Sequence, residues 1–497
     1  MPPRQKCATV GLNETEPLVC FGVQRGAGAR CVVSMTVINR SRLEELIARE
    51  RALYVRRHPR SAAHYSDARN LFGRVPMTWM NKWPGGFPLY LAGARGNRIT
   101  DVDGIEYVDF ALGDTGAMAG HSPAETVAAL RQRLEAAGGI TTMLPTADAQ
   151  WVGAELARRF GLPLWSFALT ATDANRWAIR LARLVTRRPR ILVFAYCYHG
   201  SVDETVAVLD AQGKAVARPG NVAPPVALDV TTRVVEFNDL AGLRRELAFG
   251  DVAAVLAEPA LTNIGIVLPL PGYWDAVRAA CDATGTLLMI DETHTISAGP
   301  GGATTAWGLQ PDIVVIGKSI GGGIPSGAYG ISDKVAREVE QRSADGTADL
   351  VDVGGVGGTL AGNALSVSAM RATLEHVLTD ATWPPMIALA TEFCAGVDAA
   401  IAHHKLPWSC TQLGCRAEYR FVAPAPLNGS ASAAAADAGL EEYFHLYTAN
   451  RGVLITPFHN MALMCRDTKQ ADLELHTELF AAACADLVAG CELDRRT

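Results

Sequence analysis

The chain has 497 residues, 49% hydrophobic and 19% charged, enough for two or more domains around a large apolar core. A formal net charge of −6 provides no general attraction for nucleic acid or an anionic membrane surface, so neither is expected as a partner. No run approaches the roughly 18 uninterrupted apolar residues of a membrane span, the first 30 residues lack a signal-type apolar block, and the eleven cysteines are scattered without a C-x-x-C pair, which predicts a cytoplasmic protein with reduced thiols.

Residues 1–34 are rich in Gly, Arg and Cys without periodicity and are expected to form a disordered extension. An organelle-targeting segment is the alternative, and Glu14 and Glu16 oppose it. A helical pattern begins near Arg42. Over residues 89–110 apolar and polar residues alternate around Gly96-Asn97 and Asp103-Gly104, turn signals that predict a small antiparallel sheet. His121, in Gly120-His121-Ser122-Pro123, reads as a structural hydrogen-bonder. Residues 167–183 predict a helix with Trp177, Ile179, Leu181 and Leu184 on its apolar face, preceded by Thr170 and Thr172. The free N–H groups of a helix amino terminus form an anion site, although a capping threonine alone is the plainer alternative. A strand over residues 191–195 runs into Tyr196-Cys197-Tyr198-His199-Gly200, where an aromatic suits stacking on a flat ring or packing in the core. The next strand, 252–257, leads to Glu258-Pro259, with Asn263 beyond.

Two apolar runs, 287–290 and 313–316, are too short for buried helices and are bounded by Gly, Pro and Asp, so both are read as interior strands of a parallel sheet. The first runs into Asp291 and the second into Lys318, 27 residues later. Ligands of open α/β sheets collect at the carboxyl ends of the strands. One cofactor uses an acid and a lysine placed there: pyridoxal phosphate is held as a Schiff base on the lysine, while a carboxylate keeps its pyridine nitrogen protonated. A strand-end acid and a solvated lysine would be the plainer reading of either residue alone. Lys318, however, enters a glycine-dense loop, Gly321 to Gly323 and Gly327, where backbone can approach a ligand closely. Gly317-Lys318-Ser319 also ends the phosphate-loop pattern, but that pattern needs Gly where this chain has Asp312.

Residues 354–358 are too glycine-rich for a helix or strand and read, with Thr359, as a binding loop. The pattern is helical from Asn363 to about 378. Beyond Trp383 it alternates helices with short strands such as 417–422 and 453–456, with a surface loop over 424–429 and an alanine-rich helix over 431–438.

The run Asp291-Glu292-Thr293-His294, the strand-end Lys318 with its G-G-G-x-P-x-G-A-x-G tail, and Gly358-Thr359-Leu360-Ala361-Gly362-Asn363 resemble the class III aminotransferases, especially their glutamate-1-semialdehyde aminomutase branch, over about residues 42–487. The resemblance implies a fold-type-I pyridoxal-phosphate enzyme: a large α/β domain (116–365) with a mainly parallel seven-stranded sheet, and a small α+β domain from both chain ends (35–115 and 366–497). It implies the cofactor on Lys318 with Asp291 at its ring nitrogen and Thr293 nearby. Thr170, Ala171 and Thr172, where the family reads S-G-T, would hold the phosphate. Tyr198, followed by His199, would stack on the ring. In the E-P-x-x-x-N pattern, Asn263 would lie near the phenolic oxygen with Glu258 as a supporting carboxylate. Thr359 would reach the phosphate of a neighbouring subunit, which implies a homodimer with shared active sites.

The expected function is amino transfer from a small-molecule amine or amino acid to a keto acid by a ping-pong course, with Lys318 as the proton carrier. Burial and cationic neighbours are expected to favour its free amine. An intramolecular aminomutase of the glutamate-1-semialdehyde type and a racemase or epimerase use the same residues; a cofactor-binding regulator without turnover is the non-enzyme alternative. Aligning residues 73–80 with the aminomutase pattern G-G-V-N-S-P-V-R puts Met80 where those enzymes carry a carboxylate-binding arginine, and Asp114 near where they carry a tryptophan. Trp79 and Met80 are therefore expected as an apolar wall, Asp114 as a partner for an additional substrate amine, and Arg416 as the receptor of the keto acid's carboxylate. Pairing of Arg416 with Glu418 or a surface acid is the alternative.

Overall fold

The computed structural model describes residues 34–489 and the short strand Leu493–Arg495. Of the extension expected over residues 1–34, all but Ser34 lies outside the described residues; Ser34 opens the strand Ser34–Thr36, which pairs antiparallel with Leu493–Arg495.

Seven strands form the central sheet in the order Leu164–Ala168, Gly327–Ile331, Ile313–Gly317, Leu287–Asp291, Val252–Ala257, Arg190–Phe194, Thr232–Val235. Gly327–Ile331 runs antiparallel to both neighbours and the other pairings are parallel, as the resemblance implies. Every residue of the three central strands is buried, which is why they read as continuous apolar runs: helices cover both faces. One of these is Ala171–Thr186, which buries Ala174, Ala178, Ile179, Leu181 and Ala182 over five of the strands; Trp177 and Leu184 are half-buried at its margin. Each Ile or Leu so buried contributes roughly 1.5–3 kcal/mol over an exposed one. Because Leu287–Asp291 and Ile313–Gly317 are adjacent and parallel, with Asp291 opposite Val315, Asp291 and Lys318 emerge at the same carboxyl edge.

The two chain ends assemble together. The strands Leu91–Arg95, Arg98–Asp101 and Glu106–Asp109 turn at Gly96-Asn97 and at Asp103-Gly104, as expected, and Val453–Leu454 adds beside the last of them. The helix Arg40–Arg57, capped by Asn39, packs on Ala438–Ala449, and its buried Glu50 accepts from Asn450 Nδ2 and Arg451 Nη1, both at 2.9 Å. A second sheet joins Ser409–Leu413, Arg416–Arg420 and Met461–Leu463. The alanine-rich helix expected over 431–438 is two helices, Gly429–Ala434 and Ala438–Ala449. The carboxylate of Asp437 accepts from Leu440 N at 3.1 Å, so this residue caps the second helix instead of continuing the first. The helix over Asp380–His403 has the length and composition of a membrane span, yet it buries Trp383, Met386, Phe393 and Val397 and packs against Gln470–Val488, a core position.

Candidate active site around Lys318

A cavity of about 500 Å³ opens at the carboxyl edge of the sheet, and its lining includes Thr170, Ala171, Thr172, Tyr198, Asp291, Thr293, His294 and Lys318. The strand and helix ends that the chain distributes from Thr170 to Lys318 thus meet in one crevice.

Asp291 forms the deep end. Its Oδ2 accepts from His199 Nδ1 at 2.9 Å and Asn175 Nδ2 at 2.8 Å, and its Oδ1 from Thr293 N at 3.0 Å. Burial works to raise the carboxyl, but these donors outweigh it and hold Asp291 below its ordinary range. Burial likewise opposes charge on His199, yet Cys197 and Asp291 raise it well above the usual imidazole value. A buried carboxylate and a cationic imidazole therefore share the floor. Asn175, in the first turns of the cradle helix, was not singled out from sequence; a polar residue on that helix's buried face is the signal that could have found it.

At the opposite end lies the amino terminus of Ala171–Thr186. Thr170 caps it, accepting from Asp173 N at 3.2 Å, which leaves the N–H groups of Ala171 and Thr172 without intrahelical acceptors beside the cavity. Gly200, at φ +77°, lies so close that a Cβ there would collide with Thr172 Oγ1. Only glycine permits this approach. Tyr198 lines the same space; its backbone N–H donates to Glu258 Oε1 at 3.1 Å. Glu258 also accepts from the N–H and hydroxyl of Thr262, and burial raises its carboxyl. It supports the loop carrying the aromatic.

Lys318 occupies the mouth. Its Nζ lies 3.2 Å from Asp114 Oδ2 and 2.7 Å from His294 Nε2. On the far side of the imidazole, Nδ1 lies 3.0 Å from both Arg416 Nη1 and Thr115 Oγ1, and Arg416 Nη2 is 3.4 Å from Asp114 Oδ1. Burial pushes His294 well below its usual value and the Lys318 cation adds to that, against the opposing pull of Asp114. Burial works to raise Asp114, but Lys318, His294 and Arg416 together hold it well below the carboxylate range. The backbone here is strained: Leu112, Asp114, Thr115 and Lys318 have φ of +42°, +50°, +80° and +51°, each a left-handed non-glycine conformation costing on the order of 1–3 kcal/mol. Neither the role of His294 nor the turn at Thr115 was legible in spacing.

Several expectations change. Asp114 already faces the chain's own Lys318 and Arg416, where an additional substrate amine was expected. Arg416 is fully buried, with Nη1 and Nη2 directed at His294, Thr115 and Asp114, so it presents no free fork to a carboxylate in the crevice. Nor does it pair with Glu418, whose neighbour is His459 at 3.6 Å. Trp79 and Met80 do not line the cavity: they lie in the turn Thr78–Lys82, where Trp79 packs edge-on against Phe458 at 5.9 Å. Asn263 also stands outside the lining; its Oδ1 accepts from Arg218 Nη1 at 3.1 Å, and Arg218 in turn covers the Tyr196 ring. Thr359 is exposed in an irregular loop. His121 Nε2 donates to Asp109 Oδ2 at 2.7 Å, a structural contact as expected.

An anion cradle, an aromatic, an ionised acid and an amine, in one crevice of a mainly parallel sheet, define a pyridoxal-phosphate site of fold type I. The family model described as Aminotransferase class-III matches residues 80–466, and the chain belongs to that family; its cofactor is pyridoxal phosphate. Among its relatives is a glutamate-1-semialdehyde 2,1-aminomutase of Roseiflexus castenholzii, 30% identical over 414 residues that cover 80% of this chain and 90% of that protein. Among solved structures, a glutamate-1-semialdehyde-aminomutase of Pseudomonas aeruginosa PAO1, one form of which holds PMP, is 46% identical over 90% of this chain and 99% of its own, with a TM-score of 0.87. An omega-transaminase of Sphaerobacter thermophilus is 27% identical over 86% and 97%, with a TM-score of 0.77. The residues present fit the cofactor: besides the four features above, Thr293 Oγ1 and His199 Nε2 are buried without hydrogen-bond partners beside Asp291, polar capacity that a protein-only crevice leaves unused.

Proposed function

We propose that this enzyme is an aminomutase, moving an amino group between adjacent carbons of one small substrate. The observation that carries this reading is the likeness to the Pseudomonas aeruginosa aminomutase over nine-tenths of the chain, on a crevice that has the chemistry both aminomutases and transaminases need. Thr170, Ala171 and Thr172 would hold the cofactor phosphate, Tyr198 its face, Asp291 its ring nitrogen and Lys318 its aldehyde carbon. The cofactor supplies an electron sink when bound.

Lys318 Nζ takes the proton from the amine-bearing substrate carbon and returns it one position away. Asp114, 3.2 Å from that nitrogen, accepts one of its hydrogens and so fixes the direction of its lone pair. Asp291, kept ionised by three donors, would keep the cofactor's ring nitrogen protonated. The strained turn at Leu112 to Thr115 keeps the carboxylate against the amine.

Net transfer between two molecules, from an amine to a keto acid, is the second reading. It is favoured by Met80, which stands where the aminomutase pattern carries an arginine. Incubating the enzyme with glutamate-1-semialdehyde alone separates the two: the account expects the isomer whose amino group has moved from carbon 2 to carbon 1, without any co-substrate. Turnover only when an amine and a keto acid are both supplied would overturn the aminomutase reading, as would inversion at carbon 2 without a shift.

We also propose a homodimer with shared sites. In support, Met143, Val351 and Val353 are 88%, 96% and 78% exposed, and the two valines precede the exposed Thr359 in the same loop. Apolar side chains left open in this way mark association surfaces. A fully active monomer in sedimentation would contradict it.

A further inference from the structure

We propose that His294 is a hydrogen-bond donor to the Lys318 amine, and that Arg416 is a positioning residue that sets the imidazole tautomer on which this depends. The proposal rests on Lys318 being the reacting amine.

A guanidinium has five N–H donors and no acceptor, and Arg416 Nη1 lies 3.0 Å from His294 Nδ1. Nδ1 must therefore present its lone pair. The Thr115 hydroxyl, 3.0 Å from Nδ1 and 3.3 Å from Arg416 Nη1, can accept from the arginine and donate to the same nitrogen. A neutral imidazole has one N–H, and with Nδ1 accepting, that proton is on Nε2. Nε2 is 2.7 Å from Lys318 Nζ.

An ammonium has no acceptor. The Nε2–H bond can therefore form only with the free amine, whose lone pair takes it while one amine hydrogen goes to Asp114 Oδ2. The opposite arrangement, an ammonium donating to Nε2, would put the ring proton on Nδ1, where it would face the arginine donor to donor. Doubly protonated His294 fails in the same way, and burial together with the Arg416 guanidinium disfavours that form. The cluster thus keeps Lys318 as the free amine; its lone pair becomes available to a proton as the His294 N–H bond is given up, and once Lys318 has taken a proton, the N–H of His294 opposes its staying there. Arg416 is fully buried, with Nη1 turned towards the imidazole and Nη2 towards Asp114. The backbone supports the same geometry: Asp114, Thr115 and Lys318, all in direct contact with this network, are held in left-handed conformations.

The test is competitive acylation of the full-length, cofactor-free chain with trace acetic anhydride near neutral pH, since only the free amine reacts. The rate at Lys318 is read by peptide mass spectrometry against the exposed Lys214. His294→Phe, which removes the donor, is expected to slow Lys318 about tenfold, the scale of one lost hydrogen bond to the reactive form. Should that variant not fold, two amides replace it: His294→Gln carries an N–H at the distance of Nε2 and retains most of the rate, while His294→Asn, which cannot reach Lys318, is as slow as the phenylalanine. Arg416→Met releases Nδ1 to take the proton and slows Lys318 as well, and combining it with His294→Phe gives no further loss, because the arginine acts through the imidazole. An unchanged or faster Lys318 in His294→Phe, equal rates in the two amide variants, or additive losses in the double variant would overturn the proposal. Borohydride reduction of the cofactor-loaded parent distinguishes this from failure of the underlying reading: a label on another lysine removes Lys318 from the chemistry and leaves the acylation comparison standing.

Discussion

Replacing Asp291 by asparagine separates holding the cofactor from activating it. The carboxylate receives three hydrogen bonds, from His199 Nδ1, Asn175 Nδ2 and Thr293 N, and an amide has one oxygen to offer them. In the better orientation its oxygen faces His199 and Asn175, while its NH₂ meets the Thr293 N–H as donor against donor. One buried donor left unmatched costs about 1–3 kcal/mol, so the variant is expected to lose that much stability by urea denaturation and remain folded. The phosphate cradle, formed by Thr170, Ala171 and Thr172 at the other end of the cavity, is untouched, and cofactor content measured after denaturation should stay close to that of the parent. Turnover should fall on the order of a thousandfold, as when one preorganised electrostatic group is removed from an active site, because a neutral amide cannot hold a proton on the ring nitrogen. Turnover within about tenfold of the parent, with full cofactor content, would refute the assignment of Asp291.

Gly200→Ala should fold but bind pyridoxal phosphate at least about tenfold more weakly in equilibrium titration, since its Cβ would meet Thr172 Oγ1 at φ +77°; unchanged affinity would remove Thr172 from the cradle. His476 packs at a tilt against Phe393, with ring centroids 4.3 Å apart, both its nitrogens are buried without partners, and burial pushes it down to about 3. Its folded value is below the unfolded value of about 6.5, so the unfolded chain takes up the proton first: stability is complete above that pH and declines as pH falls towards the folded value. Between about pH 7 and about pH 5 this residue alone should remove about 2 kcal/mol, and His476→Phe should show that much less acid loss. Equal acid losses in parent and variant would show that His476 does not titrate on unfolding.

What sequence made legible was local. The runs ending in Asp291 and Lys318 announce buried strands, because a strand covered on both faces has no polar alternation to obscure it. The turns at Gly96-Asn97 and Asp103-Gly104 carry their own chemistry. The cluster at the mouth is the opposite case. Asp114, His294, Lys318 and Arg416 come from four separate segments, 302 residues apart at the extremes, and no local pattern ties a charged residue on a small-domain strand to an amine on the large sheet. Arg416 was picked from its neighbourhood, and what it touches followed only from the strand register that turns it inwards beside Leu463. Asn263 and Met80 were placed by motif alignment, which carries no information on whether a side chain reaches the cavity.

The claim on which the account depends is that Lys318 carries the cofactor. Reducing the loaded enzyme with borohydride, digesting it and mapping the pyridoxyl group by mass spectrometry tests this directly. The account predicts a single modified peptide, labelled at Lys318, and no label in Lys318→Ala. A pyridoxyl group on any other lysine of the parent would contradict it.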